Sequence, residues 1–173
     1  MRHAVLVIAA AACLAAAASA ASPDPSPDCQ PAPEQVLRAL NGLRAAARSC
    51  GVNPMAAAAP LHWNAELAAS ARQYAEELAE RDTLSHEGRI LKTLGGRVRA
   101  AGYSMQRAGE NLAAGDGDLD EVVERWASSS EHCENLMQPA FQDAGLACAR
   151  SSGRFGYYWV LHLGLRSSRD RSP

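Results

Sequence analysis

Three separated segments carry side chains that could bind a metal ion together. Histidines occur in "LSHEG" (84–88) and "SSEHCENLM" (129–137), and a glutamate occurs in "GENLAAG" (109–115). Two imidazoles and a carboxylate are a suitable ligand set for a zinc-type divalent cation. His86, Glu110 and His132 are therefore candidate ligands of a divalent metal, with zinc as the expected ion.

The spacing of these three residues in the sequence does not show that they lie in one site. They are 24 and 22 positions apart (110 − 86 and 132 − 110), and no His-Glu-x-x-His helix presents two of them together. The competing interpretation is three unrelated polar residues. Ser129 and Glu131, beside His132, are candidate accessory residues. Glu110 would be the general base if the protein were a metal-assisted hydrolase.

The sequence lacks the usual patterns for nucleophilic and nucleotide chemistry. There is no Gly-x-Ser-x-Gly motif, and no cysteine stays free if two disulfides form. Serines 128–130 lie close to His132, but no buried acid that would orient this histidine can be identified. No calcium, phosphate or dinucleotide pattern is present. We expect a binding module rather than an enzyme.

Two further histidines have simpler interpretations. His62, beside Trp63, is explained by packing or a local hydrogen bond at the start of a helix. His162 lies in the last predicted strand, on the face opposite Trp159 and Leu161, where a hydrogen-bonded structural histidine is expected. Neither is included in the predicted metal site.

The first twenty residues have the layout of a secretory signal. Arg2 and His3 precede an apolar run that ends in Ala18-Ser19-Ala20. A lipoprotein acylated at Cys13 is the alternative, although the small residues at 18–20 form the better cleavage site. No other stretch is long and apolar enough to cross a bilayer. We expect a secreted or periplasmic protein without a transmembrane segment.

Composition limits the partners. Without residues 1–20 the chain has 16 basic and 19 acidic side chains, a net charge of −3 (16 − 19). This balance gives no electrostatic support for nucleic-acid binding. The remaining length suits one domain with a proper core. We expect a monomer whose ligand is an extracellular protein, lipid or wall component.

Four cysteines remain after residue 20, as suits an exported protein stabilised by disulfides. Four cysteines allow three pairings. We favour Cys29–Cys50 and Cys133–Cys148, because each pair closes a short local loop.

The periodicity of apolar residues predicts several helices. Residues 21–33 are proline-rich and are expected to be a disordered lead-in, and a polar tail follows residue 166. The domain between them should begin with a helix over 34–49. Further helices are predicted after an Asn64 cap, over about 90–101, and from Asp118 or Asp120 onward.

The last part of the chain changes to a two-residue period. Apolar residues alternate strictly along one predicted strand: Phe155, Tyr157, Trp159, Leu161, Leu163 and Leu165. Residues 143–149 should be its antiparallel partner across a turn at 151–153. Helices followed by a hairpin predict an α+β domain with an antiparallel sheet.

Eight segments in the same order resemble the CAP superfamily of cysteine-rich secretory, antigen 5 and pathogenesis-related 1 proteins, specifically its short bacterial secreted branch. They are "ALNGLRAAAR", "PLHWNAELAASARQYAEELAER", "LSHEG", "RVRAAGY", "GENLAAG", "VVERWASSSEHCENLM", "PAFQDAGLACA" and "YYWVLHLG". The resemblance covers about 34–165. It implies a three-layer α-β-α sandwich with an antiparallel sheet and a cleft that contains two histidines and acidic residues.

The resemblance also aligns the candidate residues with that cleft. His86 and His132 match the family's two histidines, and Glu110 matches the glutamate of its Gly-Glu-Asn motif. Ser129 stands where many animal and plant members have a second glutamate, and Ile90-Leu91-Lys92 replaces a common Asp-Gly-Ser. The implied function is metal binding by a secreted interaction module. The alternatives are a metal-assisted hydrolase of peptide or wall polymer and a lipid-binding carrier.

Overall fold

The computed structural model describes residues 29–168. The expected signal segment (1–20), most of the proline-rich lead-in (21–33) and most of the polar tail (167–173) lie outside this range. The elements are α1 (Pro33–Arg44), β1 (Arg48–Cys50), β2 (Asn53–Met55), β3 (His62–Trp63), α2 (Ala65–Arg81), α3 (Leu94–Ala100), β4 (Met105–Ala114), α4 (Leu119–Ala127), α5 (Ser130–Met137), β5 (Asp143–Arg150) and β6 (Tyr157–Arg166). No helix within residues 29–168 has the length and apolar character needed to cross a membrane.

A four-stranded sheet with the order β3-β5-β6-β4 forms the centre of the domain. The predicted β5–β6 hairpin is confirmed, and β4 pairs antiparallel with β6. The sheet is antiparallel as predicted except at one edge, where the two-residue strand β3 runs parallel to β5. A parallel pair is possible there because most of the domain separates the two strands in sequence, so no tight turn has to connect them.

Helices cover both faces of this sheet. On one face α2 buries Ala71, Tyr74 and Leu78 against strand residues that include Leu112 and Val160. On the other face α1, α4 and α5 pack in a second cluster that includes these residues: Val36, Leu40, Val122, Trp126, Leu136, Trp159 and Leu161. Alternate residues of β6 therefore enter opposite clusters. The predicted three-layer α-β-α sandwich is confirmed.

Two predicted helices are shorter in the structure. Helix α1 ends at Arg44 instead of continuing to 49, because residues 48–50 pair with 53–55 as a small hairpin. Helix α3 begins at Leu94 instead of 90, because the Thr93 side chain accepts a hydrogen bond from the Gly96 amide and caps it.

The region of the predicted fourth helix contains two helices. Asp118 caps α4 as predicted, through a hydrogen bond from the Glu121 amide. This helix ends at Ala127, and the separate helix α5 carries His132. Strand β4, which carries Glu110, was not predicted.

The lead-in is ordered at its end. Cys29 forms a disulfide with Cys148, and Gln30 exchanges hydrogen bonds with β5, accepting from the Cys148 amide and donating to the Leu146 carbonyl. The expectation of disorder is therefore wrong for residues 29–33, because this segment lies beside β5.

Both predicted disulfide pairings are wrong. The structure pairs Cys29 with Cys148 and Cys50 with Cys133. Helix α1 lies between Cys29 and Cys50, and its 12 residues span about 18 Å at 1.5 Å per residue. A disulfide needs Cα atoms closer than about 7 Å. The bonds instead join parts of the chain that are distant in sequence and adjacent in the fold.

Candidate metal site at the edge of the sheet

Glu110 lies on the edge strand β4, directly opposite His162 on β6. Both point to the face covered by α2, because Leu112, two residues after Glu110, belongs to the cluster on that face. The Glu110 side chain is only 3% exposed. A carboxylate so deeply buried needs donors or a cation to stay charged.

Three side chains supply those donors. His86 Nδ1 lies 2.7 Å from Glu110 Oε1. Arg97 Nη2 donates to Oε2 at 2.6 Å, and His162 Nε2 lies 2.8 Å from the same oxygen. Both carboxylate oxygens of Glu110 are therefore engaged within the protein.

The charge states of this network follow from its contacts. Burial tends to raise the pKa of Glu110, but hydrogen bonds from His162 and His86 and the charges around it lower that pKa to about 2. Burial lowers the pKa of His162, which keeps its ring neutral. His162 therefore donates from Nε2–H, and its buried Nδ1 has no hydrogen-bond partner among residues 29–168.

Arg97, which was not among the residues predicted for the site, contacts Glu110, Tyr74 and the segment that carries His86. Its side chain is 5% exposed and lies 3.6 Å from the centroid of the Tyr74 ring. In addition to Glu110, it donates through Nη1 to the carbonyls of His86 and Leu91, both at 3.2 Å. Arg97 therefore connects the buried carboxylate to the segment between α2 and α3, which we call the His86 loop (residues 82–93).

The His86 ring is held by Glu110 through Nδ1, yet most of its side chain is exposed to solvent. Its side chain is 64% exposed although Nδ1 is bonded to Glu110. The hydrogen bond to Glu110 raises the pKa of His86, and burial opposes this effect. When the ring is neutral, the ionised carboxylate accepts the Nδ1 proton and the lone pair is on Nε2, which Glu110 does not contact.

His132 is positioned from the other side of the sheet. Asn111 donates to the His132 carbonyl at 3.0 Å and accepts from Asn135 at 3.0 Å. The C-terminal end of α5 is held by the buried Arg44, which donates to the carbonyls of Leu136 and Gln138. These contacts fix α5, and with it the position of His132.

The two candidate histidines interact electrostatically. Burial, followed by the charge of His86, lowers the pKa of His132. Glu131, the neighbour of His132 in sequence, is exposed, and its charge tends to raise that pKa. Ser129 is the N-cap residue of α5 but makes no capping hydrogen bond through its side chain. Within residues 29–168, no serine hydroxyl bonds to either histidine.

The arrangement offers two imidazoles rather than three ligands. Among the residues that the structure describes, no group of three or more His, Cys, Asp or Glu side chains is placed to hold a metal ion. Of the three predicted ligands, Glu110 is removed, because both its oxygens already accept hydrogen bonds from His86, Arg97 and His162. His86 and His132 remain as the candidate ligands.

A cavity of about 870 Å³ lies away from these histidines, beside the start of α1 and the start of α4. Its lining includes Gln30, Gln35, Arg38 and Asp118 together with Tyr157 and Trp159. Such a mixed lining differs from the continuous apolar groove that a lipid carrier would need.

Residues 37–163 match the sequence profile of the family described as CAP, the cysteine-rich secretory protein family. The chain belongs to this family. The CAP domain is 28% identical over 92 residues to YkwD of Bacillus subtilis, an uncharacterized protein; the match covers 53% of this chain and 36% of YkwD.

Two solved structures share the fold of the CAP domain. An extracellular protein of Bacillus anthracis that contains an SCP domain is 25% identical with a TM-score of 0.56, over 63% of this chain and 35% of that one. An outer surface protein of Borrelia burgdorferi is 22% identical with a TM-score of 0.61, over 80% of this chain and 98% of that one. The matched region is about a third of the length of the two Bacillus proteins.

Two residues of the CAP domain that hydrogen-bond to Glu110, namely Arg97 and His162, were not predicted from the sequence. The reasons differ. Arg97 is spaced with Leu94, Val98 and Ala101 on one helical face, so a charged residue in that apolar stripe could have indicated a buried carboxylate. His162 lies opposite Glu110 because of the register between β4 and β6. This register cannot be predicted from the residues next to either position.

Proposed function

We propose that this protein is a secreted CAP domain whose cleft binds a divalent cation through His86 and His132. In this proposal Glu110 is the buried carboxylate that orients His86, and it is not itself a ligand. One observation carries the proposal: His86 is bonded to an ionised carboxylate through Nδ1 while most of its ring is exposed.

This arrangement has the chemistry of a carboxylate–histidine–metal unit. The carboxylate fixes the tautomer and orientation of the ring and increases the basicity of the nitrogen that binds the metal. The lowered pKa of His132 favours its neutral form, whereas the raised pKa of His86 means that zinc must displace a proton from that ring, because a zinc-bound imidazole is neutral. Zinc held by two imidazoles keeps open positions that water or a group of a ligand can fill.

A metal-assisted hydrolase with Glu110 as general base has less support. A general base must lie within reach of the proton that it abstracts. Glu110 is almost fully buried, and both its oxygens accept hydrogen bonds within the protein. We therefore favour binding over catalysis.

Secretion is part of the proposal. Two disulfide bonds and similarity to an extracellular protein support it, since disulfides persist in oxidising compartments.

Zinc titration of the purified protein by calorimetry tests the function. We expect the wild type to bind zinc at neutral pH, and His86→Ala and His132→Ala each to weaken binding by at least about tenfold. His62→Ala is the matched control, because His62 is an exposed histidine on β3 outside the site. Absence of zinc binding, or an equal loss in His62→Ala, would contradict the proposal.

A further inference from the structure

Exposed apolar side chains are concentrated in the His86 loop. Four large apolar residues are exposed within residues 29–168, and three of them, Leu84, Ile90 and Leu91, belong to this loop. Ile90 is 79% exposed and Leu91 is 38% exposed. Single exposed apolar residues are common on protein surfaces, but a local cluster indicates an interaction site.

The turn that presents Ile90 and Leu91 is held in place. The Gly88 amide donates to the Lys92 carbonyl at 3.3 Å and closes the turn around residues 89–91. A Cβ at Gly88 would lie 2.4 Å from the Leu91 carbonyl oxygen, so the tight turn needs glycine there. The Arg89 amide donates to Glu77 at 2.6 Å, and the Leu91 carbonyl accepts from Arg97. Ile90 is therefore displayed by a fixed segment.

Basic side chains flank the apolar pair. Arg89 pairs with Glu80 at 3.5 Å and Lys92 with Glu87 at 3.3 Å, and all four side chains are more than half exposed. Exposed pairs of this kind contribute little to stability, so the two cations can exchange these partners for others at small cost.

We propose that the tip Arg89–Lys92 docks on the surface of a phospholipid membrane. Ile90 and Leu91 enter the boundary between headgroups and acyl chains, while the flanking cations contact lipid phosphates. Charged side chains on long stems beside exposed aliphatic side chains suit this layered environment.

Two other occupants fit the tip less well. Three apolar side chains are far smaller than the roughly 800 Å² per partner that a stable protein interface buries, which disfavours a second copy of the chain. The His86 loop contains no strand, so it offers no edge to which an extended peptide could add by backbone pairing. Insertion into a bilayer needs neither a large flat area nor a strand edge.

Co-sedimentation of the full chain with vesicles of phosphatidylcholine and phosphatidylglycerol tests the proposal. We expect the wild type to bind and the double variant Ile90→Ser/Leu91→Ser to lose at least about tenfold in affinity, because the inserted aliphatic area is removed. Val52→Ser is the matched control: Val52 is 95% exposed but lies outside the His86 loop, between β1 and β2. Its binding should equal that of the wild type.

A second variant tests the cations. Arg89→Gln/Lys92→Gln should weaken binding to vesicles that contain phosphatidylglycerol more than binding to phosphatidylcholine alone. Three results would overturn the proposal: no sedimentation of the wild type, an equal loss in Val52→Ser, or full binding by the serine double variant. Zinc affinity, measured on the same preparations, should not change in the serine variant, so a failure here is distinguishable from a failure of the proposed metal site.

Discussion

Arg97 and Glu110 form a buried ion pair, with 2.6 Å between Nη2 and Oε2 and side chains only 5% and 3% exposed. The pair joins α3 to the edge strand, and Arg97 also holds the His86 loop through two carbonyls. Because both charges are almost fully removed from water, each depends on the other for compensation. The stability of this region and the geometry of the site therefore rest on the same contact.

Replacing one member of the pair should be strongly destabilising. Arg97→Met leaves a buried carboxylate without its cation, and we expect a loss of about 3–5 kcal/mol in the free energy of unfolding. Urea denaturation at neutral pH measures it. The double variant Arg97→Met/Glu110→Gln removes both charges and should recover part of the loss.

Arg99→Met is the control for this measurement. Arg99 is exposed on the same short helix and donates to the Gly95 carbonyl. Its replacement should change the free energy of unfolding by about 0.5 kcal/mol or less. A loss in Arg97→Met as small as that in Arg99→Met would show that the pair is not a major source of stability.

The two disulfides should differ in their effect on the proposed metal site. They close separations of 83 and 119 residues, so removing either pair of cysteines should cost about 2–5 kcal/mol in urea denaturation. Only Cys133 is adjacent to His132. We therefore expect Cys50→Ala/Cys133→Ala to lower zinc affinity and Cys29→Ala/Cys148→Ala to leave it close to the wild-type value.

Peptide mapping under non-reducing conditions tests the pairing directly. It should identify a linked fragment that contains Cys29 and Cys148 and another that contains Cys50 and Cys133. A fragment linking Cys29 to Cys50 would contradict the structure.

Asp82 should contribute to the stability only above acidic pH. The Arg154 amide, whose N–H is shared between both carboxylate oxygens, followed by a hydrogen bond from the Tyr158 hydroxyl, lowers the pKa of Asp82. Since the folded pKa lies below the unfolded value, the ionised carboxylate stabilises the fold at neutral pH. This contribution is lost as the pH falls below about 4 and the side chain is protonated.

Asp82→Asn isolates this effect, because asparagine tolerates the left-handed conformation of residue 82, where φ is 46°. Thermal unfolding followed by circular dichroism should show a lower Tm for the variant at neutral pH and a difference from wild type that shrinks in acid. Glu76→Gln, at an exposed position of α2, is the control. A Tm difference that does not depend on pH would contradict the assigned role of Asp82.

The parts of the fold with a strong local signal were predictable from the sequence. Strict alternation indicated β6, and Asn64, whose side chain accepts from the Leu67 amide, indicated the start of α2. Strand β4 was not predicted, because "MQRAGENLAA" has no clean two-residue alternation and contains Gly109 and Ala113. Its extended form depends on pairing with β6 over nearly its whole length.

The candidate site was predictable only in part. The residue types of His86, Glu110 and His132 suggested a common site, and the structure brings Glu110 and His86 into direct contact. The role of Glu110 as an internal acceptor depends on Arg97 and His162, which approach it from α3 and β6. Such contacts are set by tertiary packing, which sequence spacing does not encode.

The nested arrangement of the disulfides, with Cys50–Cys133 enclosed by Cys29–Cys148, has a consequence for biogenesis. As the chain emerges from its N-terminus, Cys29 and Cys50 become available long before their partners at 148 and 133. If these early thiols oxidise to each other, that bond must be broken again before the native pairs can form. Correct pairing therefore depends on delayed oxidation or on thiol–disulfide exchange, in which the later thiols of Cys133 and Cys148 displace the early bond, a step that a thiol isomerase accelerates.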